Sequence, residues 1–333
     1  MRNVLLIGGG GYVGTELQRH LCLLGYKLRV YDTFWYSRGR WPSKSFPGAS
    51  GIEYKVGDVR NTSLIKKALE NVDACIHLAC ISNDPSYELD PLLAYNVNYE
   101  AFRELIPVIN SSSIKQFIFA SSSSVYGVKK EPSVTEELSL EPLTDYSKDK
   151  VECEKLLLDS IKPHIVTTIL RPSTVCGYSR RQRFDLVVNI LTLSALRDGL
   201  IKVDGGDQFR PNLHMNDMLE SYSILLSTNR NLIDREIFNV AGENLTVHEI
   251  ALKVKQAFEA PISIEYLPVK DSRSYRVSGE KIARILNFRP KFTVEEAILD
   301  IINAYKRNEY GDTNWVQYYN LRRMKELLKN KLR

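Results

Sequence analysis

The chain has 333 residues, of which 44% are hydrophobic and 26% charged, enough to bury the core of one or two globular domains. A net charge of +5, from 45 basic and 40 acidic residues, is too small and too evenly spread to predict nucleic-acid binding. The five cysteines form no C-x-x-C pair and do not cluster with the five histidines, so neither a metal site nor a disulfide framework is predicted.

The chain also lacks the apolar segments that target or anchor a protein. No apolar run approaches the ~18 residues that a membrane-spanning helix needs. Residues 1–7 contain only four apolar positions in a row before a glycine run, which does not fit a signal peptide. We therefore expect a soluble, cytoplasmic protein that does not bind membranes.

Short apolar runs alternate with stretches of helical periodicity through the first 170 residues. Strands are predicted at residues 4–7, 27–31, 53–56, 74–78, 116–120 and 165–170. Helices are predicted at residues 12–24, 61–70, 90–110 and 146–160. This alternation predicts an α/β fold with a doubly wound parallel sheet of the Rossmann type, covered by helices on both faces. Residues 34–50 are predicted to form a long ordered loop.

The regular alternation weakens after Pro172, where longer polar loops begin. We predict a dinucleotide-binding domain at residues 1–172, to which residues 213–240 return. Residues 173–212 and 241–333 are predicted to form a smaller mixed α/β C-terminal lobe that binds the substrate.

The first predicted strand runs directly into a glycine-rich turn, Gly8-x-x-Gly11-x-x-Gly14. A strand before the glycines and a helix after them are the context that a dinucleotide site requires. Gly8 permits the tight turn, Gly11 lets the backbone approach a pyrophosphate at the helix N-terminus, and Gly14 allows close helix–sheet packing. The alternative is a glycine-rich loop without a ligand.

Two aspartates follow the next two predicted strands. Asp32 ends the second strand 18 residues after Gly14, where a carboxylate accepts hydrogen bonds from an adenosine ribose and repels a 2′-phosphate. This favours NAD over NADP, although Arg38 and Arg40 follow within reach. Asp58 follows the third strand and either accepts a bond from the adenine amino group or is an ordinary turn residue.

A tyrosine and a lysine four residues apart, Tyr146 and Lys150, carry the predicted chemistry. A phenol has a pKa of about 10, and lowering it by three units costs about 4 kcal/mol. Residues i and i+4 share a helix face, so the Lys150 ammonium can supply part of that energy. Residues 121–124 are four serines at the end of a predicted strand, facing the ligand crevice or simply lying in a loop. Together these residues predict redox chemistry on a carbinol.

The assembled pattern resembles the extended short-chain dehydrogenase/reductase family, in its nucleotide-sugar epimerase and dehydratase branch. The resemblance covers nearly the whole chain. The motifs that carry it are Gly8-x-x-Gly11-x-x-Gly14, Gly57-Asp58, the triplet from His77 to Ala79, Asn96-x-Asn98, the stretch from Ser121 to Gly127, Tyr146-x-x-x-Lys150, and Arg171-Pro172-x-x-Val175. Jointly they are specific for the family and less so for one activity within it.

The resemblance implies a role for individual residues. Ser122, four residues before Tyr126, takes the place of the catalytic serine or threonine, Tyr146 that of the base, and Lys150 that of the lysine holding the nicotinamide ribose. The cofactor contacts that it implies are Gly8, Gly11, Tyr12, Val13, Asp32, Asp58, Val59, Leu78, Ala79, Asn96, Tyr146, Lys150 and Pro172. The implied substrate contacts are Ser122, Ser123, Asn189, Arg210 and Arg273.

Asn189, Arg210 and Arg273 fall where the family binds a nucleotide diphosphate. The planar fork of an arginine suits phosphate oxygens, although each arginine could equally form a surface ion pair. The family's 4,6-dehydratases carry Asp-Glu after the catalytic Ser/Thr, whereas this chain has Ser123 and Ser124, which disfavours dehydration. Cys176 and Tyr99 also stand where the family often has tyrosine and glycine.

These observations predict an NAD-dependent nucleotide-sugar 4-epimerase that acts through a transient 4-keto sugar. The first alternative is a nucleotide-sugar 4-dehydrogenase or a 4-keto-sugar reductase, which would use the same residues. The second is a non-catalytic NAD-binding protein of the same fold. The resemblance also implies a homodimer formed through the helices near residues 90–110 and 145–160, whose apolar residues could equally all be core.

Overall fold

A seven-stranded parallel sheet lies at the centre of the computed structural model, which describes residues 2–37, 51–268 and 273–330. The loop predicted at residues 34–50, with Arg38 and Arg40, lies outside the described residues from position 38 onward. The strands of the molecule are β1 (Asn3–Ile7), β2 (Lys27–Asp32), β3 (Glu53–Val56), β4 (Ala74–His77), β5 (Gln116–Ala120), β6 (Val166–Pro172), β7 (Thr174–Cys176), β8 (Leu200–Asp204), β9 (Phe209–His214), β10 (Glu236–Val240), β11 (Asn244–Thr246) and β12 (Ser263–Leu267).

Helices connect the strands and cover both faces of the large sheet. The α-helices are α1 (Tyr12–Leu23), α2 (Thr62–Ala68), α3 (Asp84–Tyr87), α4 (Pro91–Tyr95), α5 (Ala101–Asn110), α6 (Asp145–Ser160), α7 (Val187–Asp198), α8 (Met215–Ser227), α9 (Val247–Gln256), α10 (Glu280–Leu286), α11 (Val294–Lys306) and α12 (Asn320–Lys329). A π-helical turn (Asn96–Glu100) joins α4 to α5, and 3₁₀ helices lie at Ser123–Tyr126, Arg230–Leu232 and Val316–Tyr318.

The strand order of the large sheet is β10-β6-β5-β4-β1-β2-β3, and every neighbouring pair is parallel. The order therefore reverses between β1 and β4, which is where doubly wound sheets bind ligands. The predicted Rossmann-type α/β fold is confirmed. The inner strands β1, β4, β5 and β6 are buried on both faces, which explains why they are largely apolar in the sequence, whereas the edge strand β3 is mostly exposed.

Two apolar cores sandwich this sheet. One contains Leu105 of α5 and Leu157 of α6, and the other contains Leu17 of α1 and Leu225 of α8. Helix α8 therefore packs beside α1 and leads to β10 at the sheet edge.

The second lobe has a separate core formed by α7, α9 and α11 around β8. Its small sheets are β11-β9-β7 and the parallel pair β12-β8. Two later segments, however, pack on the first lobe. Met324 and Leu327 of α12 are buried with Leu157, and Ile282 of α10 is buried with Phe238 of β10. This arrangement differs from the predicted boundary, which put all of residues 241–333 in the second lobe. The apolar side chains of α10 and α12 do not reveal in the sequence which core will bury them.

The single helix predicted at residues 90–110 is interrupted by the π-helical turn. The Asn98 side chain in this turn accepts a hydrogen bond from Ile81 N (2.8 Å) and donates to Ile81 O (3.2 Å). The Asn98 carbonyl accepts a hydrogen bond from the Cys153 thiol of α6 (3.3 Å). Such turns are single-residue adjustments within a helix and are frequent at functional sites. Here the turn ties the helix to the loop that follows β4.

Candidate active site

A cavity of about 420 Å³ opens at the carboxyl ends of the parallel strands, where the strand order reverses. Thirteen of the sequence-predicted residues line it together. These are Gly8, Gly11, Tyr12, Val13, Asp32, Asp58, Val59, Leu78, Ala79, Pro172, Ser122, Tyr146 and Arg273. The cavity also reaches the second lobe through residues that follow β7.

The glycine-rich turn between β1 and α1 forms one wall of the cavity. Gly8 has a φ of +83°, and a Cβ atom there would lie 2.4 Å from the backbone nitrogen of Ala79. A Cβ atom on Gly14 would lie 2.6 Å from the Cα of Gly9. Gly11 precedes α1 and caps it without a side-chain hydrogen bond, so the first-turn amides remain available to an anion. The wall therefore fits a dinucleotide pyrophosphate.

Asp32 ends β2 at the rim of the same wall. Its Oδ2 accepts a hydrogen bond from Gly10 N (2.8 Å) and its Oδ1 accepts one from Phe34 N (2.7 Å). Burial raises the pKa of Asp32, and these two backbone bonds oppose that rise. A third hydrogen bond comes from the Thr33 side chain, and a carboxylate has about four acceptor sites, so Asp32 can still accept a ribose hydroxyl.

Asp58 lies across the cavity and is paired with Arg60. The guanidinium of Arg60 donates to both carboxylate oxygens, Nε to Oδ1 at 3.0 Å and Nη2 to Oδ2 at 2.7 Å. Burial raises the pKa of Asp58 but the Arg60 bonds outweigh it, so the net change is a decrease. Asp58 is therefore an ionised hydrogen-bond acceptor in the cavity lining.

Ser122, Tyr146 and Lys150 meet at the end of β5. Ser122 follows the strand and caps the 3₁₀ helix Ser123–Tyr126, while Tyr146 and Lys150 lie one turn apart on α6. The ammonium of Lys150 donates to the last β5 carbonyl, Ala120 O, at 2.7 Å and lies 5.9 Å from the centre of the Tyr146 ring. The shared helix face predicted for the tyrosine and the lysine is what brings them together.

The protein's own groups hold the Tyr146 phenol in its protonated form. Burial raises the pKa of Tyr146 well above its usual value, and Cys80 and Asp84 raise it further, whereas a hydrogen bond with Ser122 and the charge of Arg183 lower it. The expected acidification by Lys150 is not among these main effects. Lowering the pKa of Tyr146 towards neutrality thus requires a further positive charge in the cavity.

Five predicted site residues lie outside the cavity lining of the described chain: Asn96, Ser123, Lys150, Asn189 and Arg210. Asn189 is fully buried, and its side-chain amide is hydrogen-bonded on both ends. It donates to Tyr12 Oη (3.1 Å) and Arg183 O (2.8 Å) and accepts from Gly177 N (3.1 Å). Asn189 therefore supports two lining residues, Tyr12 and Arg183, without lining the cavity itself.

Ser123, Arg210 and Asn96 also lie outside the lining, and each has its own local contacts. Ser123 is buried 3.4 Å from Tyr275 Oη, and Arg210 donates to the carbonyl oxygens of Phe209 and Arg273. Asn96 begins the π-helical turn, whose next residue, Val97, lines the cavity instead.

Sequence reasoning missed a group of charged residues that line the cavity together with Arg273. Arg181 and Arg183 line the cavity from the loop after β7, and Asp84 lines it from α3. Arg183 pairs with Asp185 (3.0 Å), and Arg273 pairs with Asp84 (2.8 Å). In the sequence, only the presence of three arginines within residues 180–183 pointed to these cavity residues. That pattern does not distinguish Arg181 and Arg183 from Arg180, which pairs with Glu16 (3.0 Å).

The fold and this cavity define a dinucleotide-binding protein of the doubly wound α/β class. The sequence model of the NAD dependent epimerase/dehydratase family matches residues 4–241, and the chain belongs to this family. The predicted family and its predicted cofactor, NAD, are thereby confirmed. Membership of this family also confirms the predicted enzyme class, an NAD-dependent epimerase or oxidoreductase.

Known proteins of this family are similar to the chain over almost its whole length. The UDP-glucose 4-epimerase of Lactobacillus helveticus is 27% identical over 331 residues, covering 92% of this chain and 98% of that protein. A UDP-glucuronic acid 4-epimerase from Bacillus cereus, solved in complex with NAD, superposes with a TM-score of 0.80 at 25% identity, covering 94% and 99% of the two chains. The dTDP-glucose 4,6-dehydratase DesIV from Streptomyces venezuelae shares the fold at 20% identity, with a TM-score of 0.82 and coverage of 93% and 99%.

None of the described helices combines the length and apolar character that crossing a membrane requires. The described residues also hold no group of three or more potential metal ligands.

Proposed function

We propose that this protein is an NAD-dependent nucleotide-sugar 4-epimerase that acts through a transient 4-keto sugar. One observation carries the proposal: Ser122 and Tyr146 line the same cavity as the glycine-rich turn, with Lys150 beside the tyrosine ring. The similarity to UDP-sugar 4-epimerases over the whole chain supports it.

The cofactor would lie along the wall formed by the glycine-rich turn. Gly8 and Gly11 would admit its pyrophosphate, Asp32 its adenosine ribose, and Asp58 its adenine. Tyr12, Val13, Val59, Leu78, Ala79 and Pro172 line the same side of the cavity. Bound NAD supplies a hydride acceptor and donor and a positively charged ring.

The chain's own residues would move the proton. Tyr146 is placed to take the proton of the sugar hydroxyl and to return it after the keto sugar has turned over. Ser122 is placed to donate a hydrogen bond to the same sugar oxygen as it becomes a carbonyl. Lys150, buried and anchored to Ala120 O, would hold the ribose of the cofactor and keep a cation near the phenolate.

The substrate diphosphate would bind on the opposite side of the cavity. Arg273 and Arg183 line that side, and guanidinium groups bind phosphate oxygens in pairs. A dehydratase is disfavoured because Ser123 and Ser124 offer no carboxylate beside Ser122. Ser123 is in addition buried against Tyr275.

Product analysis with a panel of UDP-, GDP-, CDP- and dTDP-sugars tests this function. We expect one of them to be converted to its 4-epimer without accumulation of NADH, in protein that retains NAD through purification. Stoichiometric NADH and a stable ketone would instead identify a net dehydrogenase. The absence of any hydride exchange with all four classes would leave a non-catalytic NAD-binding protein.

We further propose a cytoplasmic homodimer. The five cysteines are free thiols, which suits a reducing compartment. Leu92 and Tyr95 of α4 are 70% and 38% exposed, and the Tyr95 and Tyr99 rings lie tilted with their centroids 5.4 Å apart, so an apolar patch lies next to α6. Light scattering should give about twice the mass of 38.1 kDa, and Leu92→Glu should yield monomers.

A further inference from the structure

A chain of four hydroxyl groups leads from Ser122 to the N-terminus of α6. Ser124 Oγ donates to Ser122 Oγ at 2.9 Å, and Ser147 Oγ donates to Ser124 Oγ at 3.1 Å. Thr144 Oγ1 lies 2.9 Å from Ser147 Oγ and completes the chain. The hydroxyls thus join the end of β5, which carries Ser122, to the helix that carries Tyr146.

The bonds fill the acceptor capacity of Ser122. A serine oxygen has two lone pairs and one proton. Ser122 Oγ accepts both Ser124 N–H (3.1 Å) and Ser124 O–H (2.9 Å). Its only remaining hydrogen-bonding group is its own O–H, which it must donate to a partner in the cavity, Tyr146 Oη or a substrate oxygen.

The direction of the bonds is the same along the chain. Ser147 donates to Ser124, which donates to Ser122. Hydrogen bonds that follow one another in one direction polarise each other, so the last hydroxyl becomes a stronger donor. Ser147 is 1% exposed, in the first turn of α6, so its own hydroxyl is shielded from competing water, while Ser122, Ser124 and Thr144 are half-buried.

The remaining two serines of the run have different partners. Ser121 donates to Glu154, which is itself paired with Arg171, and Ser123 lies near Tyr275. Ser121, Ser122 and Ser124 all line the cavity, but the Ser121 hydroxyl is bound to Glu154, so only Ser122 and Ser124 of the run contribute to the hydroxyl chain.

We propose that Ser124 and Ser147 are positioning residues that fix Ser122 as a hydrogen-bond donor to the cavity, where its one proton serves either the Tyr146 phenolate or the reacting oxygen. This inference rests on the proposed function for its kinetic consequence only. A donated bond stabilises the phenolate form, and the Ser122 hydrogen bond indeed lowers the pKa of Tyr146. Weakening the donor should therefore shift the ionisation of Tyr146 to higher pH.

Three variants test the proposal. Ser124→Ala removes the donor to Ser122, Ser147→Ala removes the donor to Ser124, and Ser124→Thr keeps a hydroxyl in place. We expect kcat to fall roughly tenfold in Ser124→Ala and about threefold in Ser147→Ala, with KM within about twofold of wild type. The rising limb of the pH–rate profile should move to higher pH in both. Ser124→Thr should restore the wild-type profile.

The matched control is Ser111→Ala, which removes an exposed hydroxyl that donates to Val108 O far from the cavity. It should leave kcat, KM and the pH profile unchanged. A wild-type pH profile in Ser124→Ala would overturn the proposal. So would an effect on KM alone, since that would make Ser124 a direct substrate contact.

A second readout needs no substrate. The ultraviolet absorbance change on ionisation of Tyr146 is obtained in NAD-loaded protein by subtracting the titration of Tyr146→Phe. Its midpoint should rise in Ser124→Ala and Ser147→Ala, and an unchanged midpoint would contradict the proposal. This measurement decides the role of the hydroxyl chain even if no nucleotide sugar proves to be a substrate.

Discussion

The two sides of the cavity are built in different ways. The cofactor side is mostly backbone: glycines at the end of β1, and residues that follow β2, β3 and β4 in a parallel sheet. The substrate side consists of charged side chains from distant segments, Asp84, Arg183 and Arg273, and these already form ion pairs. A dinucleotide therefore meets a surface with the required shape, whereas a diphosphate must compete with carboxylates for its arginines.

This difference should give the two sides of the cavity different affinities for their ligands. A backbone wall offers amides at fixed positions and costs little to reorganise when the ligand binds. When an arginine exchanges a carboxylate partner for a phosphate, the net binding free energy is only the difference between the two charge-assisted hydrogen-bonded pairs. The cofactor side should thus bind its ligand tightly, and the substrate side should bind its ligand more weakly and reversibly.

Tyr146 lies where the two sides meet, and its replacement should have the largest effect. Tyr146→Phe removes the acid–base group but keeps the ring, so turnover should fall by about 10³-fold while NAD remains bound. Because the pKa of Tyr146 is raised, wild-type activity should increase with pH as the phenol ionises. Tyr305→Phe, a conservative change in the second lobe, is the control. Turnover near the wild-type level in Tyr146→Phe would remove the tyrosine from the mechanism.

The backbone wall is tested at Gly8. Gly8→Ala combines a positive φ with a Cβ atom 2.4 Å from Ala79 N, and should cost about 3 kcal/mol or more, measured by urea unfolding, together with most of the NAD affinity. Gly25→Ala is a matched control, since Gly25 has a φ of +85° but nothing within 4 Å of the added atom. It should cost only about 1 kcal/mol and leave NAD binding intact. Equal losses in the two variants would show that the wall tolerates a side chain.

The substrate side is tested at Asp84, whose Oδ2 accepts a hydrogen bond from Arg273 at 2.8 Å. Asp84→Asn removes the carboxylate that competes with a diphosphate, so UDP should bind about five- to tenfold more tightly by calorimetry, with unchanged NAD affinity. Asp198→Asn, which breaks an exposed pair with Arg197, is the control and should leave UDP affinity unchanged. Weaker binding of UDP by Asp84→Asn would mean that Asp84 orients Arg273 for the phosphates.

The smallest effect is expected at Asp149 of α6, which is hydrogen-bonded to Tyr87 of α3. Tyr87 Oη donates to Asp149 Oδ2 at 2.8 Å, and burial raises the pKa of Asp149 to about 6 although the Tyr87 bond lowers it. Between about pH 4 and pH 6 the folded state binds more protons than the unfolded state, so stability falls as the pH rises through this window.

The variant Asp149→Asn keeps an acceptor for Tyr87 and abolishes the titration. It should therefore match the wild type near pH 4 and be about 1 kcal/mol more stable at pH 7, as measured by urea unfolding at several pH values. Asp159→Asn, at the exposed end of α6, should leave the pH dependence of stability unchanged. A wild-type pH dependence in Asp149→Asn would place the titrating group elsewhere.

The sequence determined the sheet, the cofactor side and the spacing of the tyrosine and the lysine. These features depend on local patterns: apolar runs that become buried strands, a glycine turn that only glycine can adopt at Gly8, and an i, i+4 spacing that puts Tyr146 and Lys150 on one helix face. Where strands of a parallel sheet end, neighbouring loops must meet, so Asp32 and Ser122 could be assigned to one crevice from their positions alone.

Only the tertiary structure decided the substrate side, the course of α12 and the roles within the serine run. Arg180, Arg181 and Arg183 are alike in the sequence, but the partner of each depends on a contact with another segment: Glu16, Asn320 and Asp185. Likewise, a serine near the end of β5 can bond to another hydroxyl, as Ser124 does to Ser122, or to a buried carboxylate, as Ser121 does to Glu154. Hydrogen bonds and ion pairs depend on distances of a few ångströms between residues far apart in the chain, which no local pattern specifies.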